Sequence, residues 1–193
     1  VGMGETTVTF YDVASTNSAK KLFECSIDGE FPYACAYLES GDLAVITNQS
    51  IRIFNDRFEE TERESFYEAS VGSFNVNRSG AVAVVGTGTL RTVYAFDSKG
   101  KLIYSNPIGE NILKSDIVGE YLFLQTATGV IRINTEDKTR AFLASDQGSM
   151  LVYSDDTAIV CGEAKAEYLV FFLFIKNNCH IFGGRFLIIL VII

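Results

Sequence analysis

The chain has 193 residues, a net charge of −8, two prolines and 48% hydrophobic residues, a composition unlike that of disordered or nucleic-acid-binding proteins. Its cysteines at positions 25, 35, 161 and 179 include no C-x-x-C pair and are too few for a disulfide scaffold. The first residue is Val1 and no basic-plus-apolar leader follows it. We therefore expect a globular chain without a nucleic-acid partner that is a fragment or a processed product.

In chain order, the first predicted strands lie at residues 8–12 and 21–25, and residues 8–12 resemble the second half of a unit whose beginning is missing. From residue 33 a four-part pattern repeats: an extended segment, an apolar run, a mixed run ending in Asp or Asn, and a polar run. We expect Cys161, inside the last apolar run, to be a core residue. The apolar runs are residues 43–46, 82–85, 121–124 and 158–161, with first residues 39, 39 and 37 positions apart.

Turn residues support this repeat. Gly or Asp precedes each apolar run, as tight hairpins require. The mixed runs end in Asn55, Asp97 and Asn134, whose side chains can accept hydrogen bonds from the next turn. Gly86 and Gly88 are interpreted as a hairpin, because no helix follows to form a dinucleotide site.

A period near forty residues, with one apolar strand in each four-strand unit, is typical of a β-propeller blade. The predicted fold class is therefore all-β: a β-propeller fragment of about four four-stranded blades, three of them complete, with partial units at both ends. Propellers close with about four to eight blades. Closure therefore needs either a four-bladed ring or further blades outside this chain, and we favour the second. Open blade edges would favour self-association.

Residues 93–104 show the clearest similarity to a known family, with an apolar strand, an Asp, a glycine turn and a second strand. Over roughly residues 6 to 174 the units resemble the WD40-like and PQQ-like β-propeller superfamily. They lack the Trp-Asp ending and Gly-His start of standard WD40 repeats and the outer-strand Trp of quinone-enzyme repeats. They look most like uncharacterised bacterial propellers, which implies an extracytoplasmic, secreted or membrane-anchored protein, with a cytoplasmic location as the alternative.

The C-terminal sequence differs from the repeats. We assign residues 1–175 to the blades and residues 176–193 to a hydrophobic tail. The apolar runs at 168–175 and 186–193 are each shorter than the roughly eighteen residues that span a bilayer. The first run fits the second strand of the last unit. The second run fits either the start of a truncated membrane helix or non-native sequence. We favour non-native sequence for residues 176–193. Membrane association is expected only through this tail or an upstream segment.

Few residues carry recognisable chemistry. His180 is the only histidine and lies in the tail, and Asp116, Asp155 and Asp156 lack the spacing of a calcium loop. We therefore predict no catalytic residue, no cofactor and no metal site. The favoured function is a non-catalytic binding or scaffold module, part of a larger extracytoplasmic protein, for a protein, peptide or glycan ligand.

Loop aromatic and arginine side chains are the usual anchors of such ligands. Arg57 and Tyr67 are the candidate binding residues, whereas Phe58 and Phe74 are expected to pack between blades. The alternative function is a propeller enzyme, namely a hydrolase, lyase or quinone-dependent dehydrogenase, whose active-site blades lie outside this chain.

Overall fold

The computed structural model describes residues 2–3, 7–12, 20–27, 29–66, 70–87, 89–145, 148–163 and 165–171. Within these ranges the chain forms strands β1 to β18, arranged in five antiparallel sheets, and no helix. Strands that follow one another in the chain are neighbours in the sheet, so every sheet is a simple meander. Residues 176–193 of the predicted tail, and Tyr67, lie outside the described residues.

The first and last sheets each have three described strands. Sheet 1 contains β1 (Gly2–Met3), β2 (Thr7–Asp12) and β3 (Lys20–Ser26), and sheet 5 contains β16 (Ser149–Val152), β17 (Thr157–Cys161) and β18 (Ala166–Val170).

The three sheets between them are complete, with four strands each. Sheet 2 contains β4 (Pro32–Tyr37), β5 (Leu43–Thr47), β6 (Ser50–Phe54) and β7 (Glu60–Ser65). Sheet 3 contains β8 (Val71–Asn77), β9 (Gly80–Thr87), β10 (Leu90–Asp97) and β11 (Leu102–Ile108). Sheet 4 contains β12 (Lys114–Val118), β13 (Tyr121–Gln125), β14 (Gly129–Asn134) and β15 (Arg140–Ala144). The prediction of three complete units between two partial ones is confirmed.

The strands of one sheet differ in burial according to their position. Every residue of β5 and β6 is buried, whereas most of β7 is exposed. The first strands are neighbours, since β8 lies against β4 and β12, and β16 lies against β12. The sheets are therefore arranged around a common line of first strands, with the polar fourth strands furthest from it.

Alternate residues of the buried strands pack on the two neighbouring sheets. In β5, Leu43 packs with Val8 and Ile27 at the end of sheet 1, whereas Ala44 packs with Ala81 and Phe96 of sheet 3. The burial of apolar side chains on both faces of the middle strands is the main hydrophobic contribution to the stability of the fold. It explains why these strands are apolar at successive positions rather than at alternate ones.

The predicted turn chemistry is present in the structure. Asn55, Asp97 and Asn134 each follow or end a third strand, and the Oδ1 atom of each accepts two backbone hydrogen bonds from the following turn. The donors are the N–H groups of Arg57 and Glu59, of Lys99 and Lys101, and of Glu136 and Asp137, respectively.

Two expectations from the sequence need correction. The first apolar residues of the second strands that pack towards the preceding sheet are Leu43, Ala81, Leu122 and Ala158. The sequence alignment matched Leu43 with Val82 and Tyr121, which is one residue wrong in each case. Hairpin length contributes to the error in sheet 3, because the Leu38 N–H bonds the Asp42 carbonyl across a longer turn than the one joining Asn77 to Gly80.

The second correction concerns Cys161, which is exposed rather than buried. It is the last residue of β17, where the strand leaves the packed region, and Ala158 and Val160 occupy the core positions of that strand instead. A position at the end of an apolar run is therefore a poor indicator of burial here.

Candidate binding groove

An open groove of about 540 Å³ lies between sheets 3 and 4. Its lining comes from three segments: the connection from β11 to β12, the hairpin from β13 to β14, and strands β14 and β15. The residues are Glu110, Asn111, Thr126, Ala127, Thr128, Ile131, Arg140, Ala141 and Phe142. Sites that hold small molecules or peptide side chains have volumes of about 300–1,000 Å³, so the groove is large enough to bind part of a ligand.

The floor and one wall of the groove are apolar. Ile131 of β14 is 5% exposed and lies directly across the strand pair from Phe142 of β15. Phe142 is 52% exposed, although it is among the largest apolar side chains of the structure. An aromatic ring left half in water beside a buried floor gains free energy when a ligand covers it.

Two opposite charges lie on the rim of this apolar floor. Arg140 is exposed at the start of β15, and Glu110 is exposed in the connection that enters sheet 4. Among the described residues, neither side chain makes a hydrogen bond or an ion pair. Both charges are therefore available to a ligand that carries the complementary groups.

The two ends of the groove are held by hydrogen bonds. At the end formed by the β13–β14 hairpin, the Ser145 N–H donates to the Thr128 carbonyl at 3.1 Å, and the Leu113 N–H donates to the Gln125 carbonyl at 2.8 Å. At the other end, Lys138 donates from Nζ to the Ile103 carbonyl of β11 at 3.1 Å. The Lys138 ammonium also lies 4.8 Å from the centre of the Tyr104 ring. The wall positions are thus fixed by contacts within and between the two sheets.

A second concentration of charge, between sheets 1 and 2, is buried and already paired. Glu30 is 2% exposed and Arg52 is 3% exposed, with Arg52 Nη2 and Glu30 Oε1 2.8 Å apart. Thr47 and Ser50 donate hydroxyl hydrogen bonds to Glu30 Oε2, and Arg63 donates to Oε1. Burial would raise the pKa of the Glu30 carboxyl, but the bonds from Ser50, Thr47 and Arg52 together lower it. These groups hold the β5–β6 hairpin against the chain entering β4. Because they are already paired with one another, we do not interpret them as a ligand site.

The first strands carry a third cluster. Asn75 and Asn77 of β8 donate to Asp116 Oδ1 of β12 at 2.6 and 2.8 Å. Burial raises the pKa of Asp116, although these bonds and the Ile117 N–H oppose the shift. The Tyr33 ring of β4 and the Phe74 ring of β8 stack with their centres 5.3 Å apart. Asp116 Oδ1 thus accepts three hydrogen bonds, two of them from the adjoining sheet, so we interpret this cluster as a seam between blades.

The residues predicted from the sequence lie elsewhere. Arg57 is exposed in the β6–β7 hairpin of sheet 2, away from the groove, and Tyr67 is outside the described residues. Both stay predictions. Phe58 stacks on Phe23 of sheet 1 with ring centres 5.3 Å apart, and Phe74 stacks on Tyr33, so both phenylalanines pack between sheets as expected. None of the groove residues was identified from the sequence.

The comparisons with known proteins concern the fold. No protein-family model and no curated protein matches the sequence. The structure is similar to the WD40 domain of Neurospora crassa Pan2, with a TM-score of 0.55 and 10% identity over 85% of this chain and 56% of that one. It is similar to Saccharomyces cerevisiae Sqt1, with a TM-score of 0.61 and 13% identity over 88% of this chain and 53% of that one. It is also similar to KlAtg21, solved in complex with the coiled coil of AgAtg16, with a TM-score of 0.61 and 12% identity over 86% of this chain and 59% of that one.

The fold is a β-propeller. Its sheets 1 to 5 are blades 1 to 5, and the predicted all-β propeller architecture is confirmed. The chain spans somewhat more than half the length of each of these three structures. At such low identity the similarity establishes the architecture alone.

The described blades lack two further kinds of feature. No group of three or more His, Cys, Asp or Glu side chains that could hold a metal ion occurs among the described residues. The same residues include no helix long and apolar enough to cross a membrane.

Proposed function

We propose that this chain is part of a non-catalytic propeller that binds an extended segment of a partner protein in the groove between blades 3 and 4. The observation that carries the proposal is the half-exposed Phe142 ring on a buried apolar floor, flanked by the unpaired charges of Arg140 and Glu110. A ligand that covers Phe142 buries apolar surface, and a ligand that also carries an acidic and a basic group can pair with Arg140 and Glu110.

The chemistry of the groove favours a peptide over a glycan. A neutral sugar would cover Arg140 and Glu110 without supplying an opposite charge to either, and desolvating a charge without a partner is costly. A peptide with an acidic and a basic side chain supplies both. KlAtg21 is a propeller of similar fold that was solved with a protein segment bound, which makes this class of ligand a reasonable one for the fold.

The cellular setting is part of the proposal. We place the complete protein outside the cytoplasm, with a cytoplasmic location as the alternative, on the resemblance of its repeats to secreted and anchored propellers. Fractionation of cells expressing the full-length gene tests this, since recovery in the cytosolic fraction would contradict it.

A peptide selection tests the binding function. The folded chain is immobilised and a library of random linear dodecapeptides is selected on it. The dissociation constant of the best synthesised peptide is then measured for wild type and variants. We expect Phe142→Ser and Arg140→Ala each to weaken binding about tenfold, as buried anchors at interfaces do.

Matched controls make the test specific. Leu22→Ser removes an apolar side chain that is 50% exposed on β3, and Arg78→Ala removes an exposed arginine of the β8–β9 turn, outside the groove. Both should change affinity by less than about twofold. The proposal fails if no peptide is enriched over the bare support, or if the controls weaken binding as much as the groove variants do.

A further inference from the structure

We propose that the partner segment binds as an additional β-strand on the outer edge of β15. This inference rests on the proposed binding function of the groove and specifies how the groove is used. It is carried by the backbone of β15, which is the last strand of blade 4 and has a strand on one side only.

The register of β14 and β15 shows which backbone groups are free. The Ser145 N–H bonds the Thr128 carbonyl at 3.1 Å, and the Asn134 N–H bonds the Thr139 carbonyl at 3.0 Å. Bonded and non-bonded pairs alternate along an antiparallel ladder, so Ala141 and Leu143 bond inward to β14. The N–H and C=O groups of Arg140, Phe142 and Ala144 therefore point outward, and they have no backbone partner in the part of the chain that the structure describes.

The composition of β15 distinguishes it from the other outer strands. β3 contains Lys20, Lys21 and Glu24, and β7 contains four charged residues among six. Charges on an edge strand oppose the addition of another strand. β11 lacks charges, but Pro107 interrupts its row of N–H donors. β15 reads Arg-Ala-Phe-Leu-Ala, with one charge and no proline.

The groove selects the chemistry of the added strand. Successive side chains of that strand point to opposite faces, so every second one faces Phe142 and the rim charges. Arg140 lies at the β14–β15 hairpin end, whereas the connection that carries Glu110 meets the opposite end of sheet 4, where the Leu113 N–H bonds the Gln125 carbonyl. Residues 140 to 144 extend about 13 Å at 3.3 Å per residue. The occupant is therefore an extended segment of a partner protein with an acidic and a basic residue about four positions apart and apolar residues between them.

Amide hydrogen exchange measured by NMR tests the added strand. The probe is the dodecapeptide selected on the wild-type chain, used at saturation. We expect exchange of the Arg140, Phe142 and Ala144 amides to slow by about tenfold or more, because each donates a hydrogen bond to the added strand or is shielded from water by it. The Ala141 and Leu143 amides, already bonded to β14, should change little. A peptide that requires Phe142 but leaves all three outward amides unprotected overturns the inference.

A pair of variants gives a second test. Ala144→Pro removes an outward N–H without removing a bond to β14, and Ala144→Ser keeps it. We expect the proline to weaken binding about fivefold relative to the serine, the effect of one lost hydrogen bond. Slow exchange of the Ser145 amide in the Ala144→Pro variant shows that β15 is still paired with β14. Equal affinities for the two variants would contradict the inference.

N-methylation of the peptide makes the test independent of the folding of any variant. Methyl groups placed on successive peptide nitrogens should weaken binding at alternate positions only, where the N–H faces β15. A uniform effect excludes strand addition. If no peptide is selected at all, the proposed function itself fails, whereas a groove-dependent peptide without these signatures rejects strand addition alone.

Discussion

Arg52 and Arg132 occupy the centre of the same Ile-Arg-Ile sequence, yet they point to opposite sides of their blades. Arg52 pairs across the hairpin with Val45 and faces blade 1, where it meets Glu30. Arg132 pairs with Phe123 and faces blade 5, where its guanidinium carbon lies 3.7 Å from the centre of the Tyr121 ring. A shift of one residue in a strand reverses the face of every side chain.

The two arginines should respond differently to substitution. Arg52→Met leaves the buried Glu30 carboxylate without its main partner and should reduce the free energy of unfolding by about 3–5 kcal/mol. Arg132 donates from Nε to the Asp155 carbonyl, and its Nη2 has no hydrogen-bond partner among the described residues. Arg132→Met therefore leaves no buried charge without a partner, and it should reduce the free energy of unfolding by about 1 kcal/mol or less.

Chemical denaturation of both variants measures this difference. Lys21→Ala, which breaks an exposed ion pair with Glu24, is the control and should cost less than about 1 kcal/mol. Adding Glu30→Met to Arg52→Met should recover part of the loss, because the charges that then lose a partner, Arg63 and Glu60, are partly exposed to water rather than buried. Equal losses for Arg52→Met and Arg132→Met would refute the paired and unpaired assignments.

Asp116 should make the fold less stable as the pH rises. Its folded pKa is raised by burial above the unfolded value of about 3.9, so the folded chain keeps a proton that the unfolded chain has lost. Stability therefore falls between the unfolded and folded pKa values, and the cost is complete above the folded pKa. Asp116→Asn should raise the free energy of unfolding at pH 7 and change it less near pH 3.

The opposite sign is expected at Asp137. Hydrogen bonds from the Thr139 side chain and backbone lower the pKa of this exposed carboxyl. Its contribution is present above the unfolded pKa and is lost as the pH falls through the folded one, so Asp137→Asn should lower stability at pH 7. Denaturation curves recorded across the acidic range distinguish the two cases. A loss of stability at pH 7 in Asp116→Asn would contradict the assignment of Asp116.

Gly100 should not tolerate a side chain. Its φ is +75°, and a Cβ atom there would lie 2.6 Å from Ile53 Cγ2 of the neighbouring blade. Gly100→Ala therefore combines backbone strain with a clash between blades 2 and 3, and it should cost about 2 kcal/mol or more. Gly109→Ala, where a Cβ meets nothing within 4 Å, is the control and should change stability by less than about 0.5 kcal/mol. Similar unfolding midpoints for the two variants would argue against this contact.

The thiols should react in the order of their exposure. Cys161 is exposed, whereas Cys25 and Cys35 are half-buried, and burial raises the pKa of both. A thiol is nucleophilic only as the thiolate, so iodoacetamide at neutral pH should label Cys161 before Cys25 and Cys35. Peptide mapping by mass spectrometry reads each site separately. Faster labelling of Cys25 or Cys35 would mean that the interface between blades 1 and 2 is open in solution.

The sequence predicts the blades well because their turns are chemically local. Asn55 and Asp97 bond amides within four residues of themselves, so their role can be inferred from neighbouring residues alone. The register of one blade against the next depends on hairpin length, which the apolar runs do not encode, and so Leu43 was matched with the wrong residue of blade 3. Local signals therefore identify strands, whereas the face that each residue presents requires the pairing.

The groove was not predicted, because its parts are distant in the chain. Glu110 and Arg140 are thirty residues apart in the sequence and meet at one groove only when blades 3 and 4 pack. One signal was present and not used. Residues 140–144 form an outer strand without acidic residues or proline, unlike the outer strands of blades 1 to 3. Comparing the outer strands with one another would have identified this edge.

Photo-crosslinking of the selected peptide tests the central claim most directly. A benzoylphenylalanine replaces the apolar residue of the peptide on which affinity depends most, and the crosslinked residues are identified by mass spectrometry. Binding in the groove predicts crosslinks to residues 140–144 and to Glu110 and Asn111, and their loss in Phe142→Ser. Crosslinks concentrated at Arg57 of the β6–β7 hairpin, or at Tyr33 and Phe74 of the first strands, would place the ligand elsewhere and contradict the account.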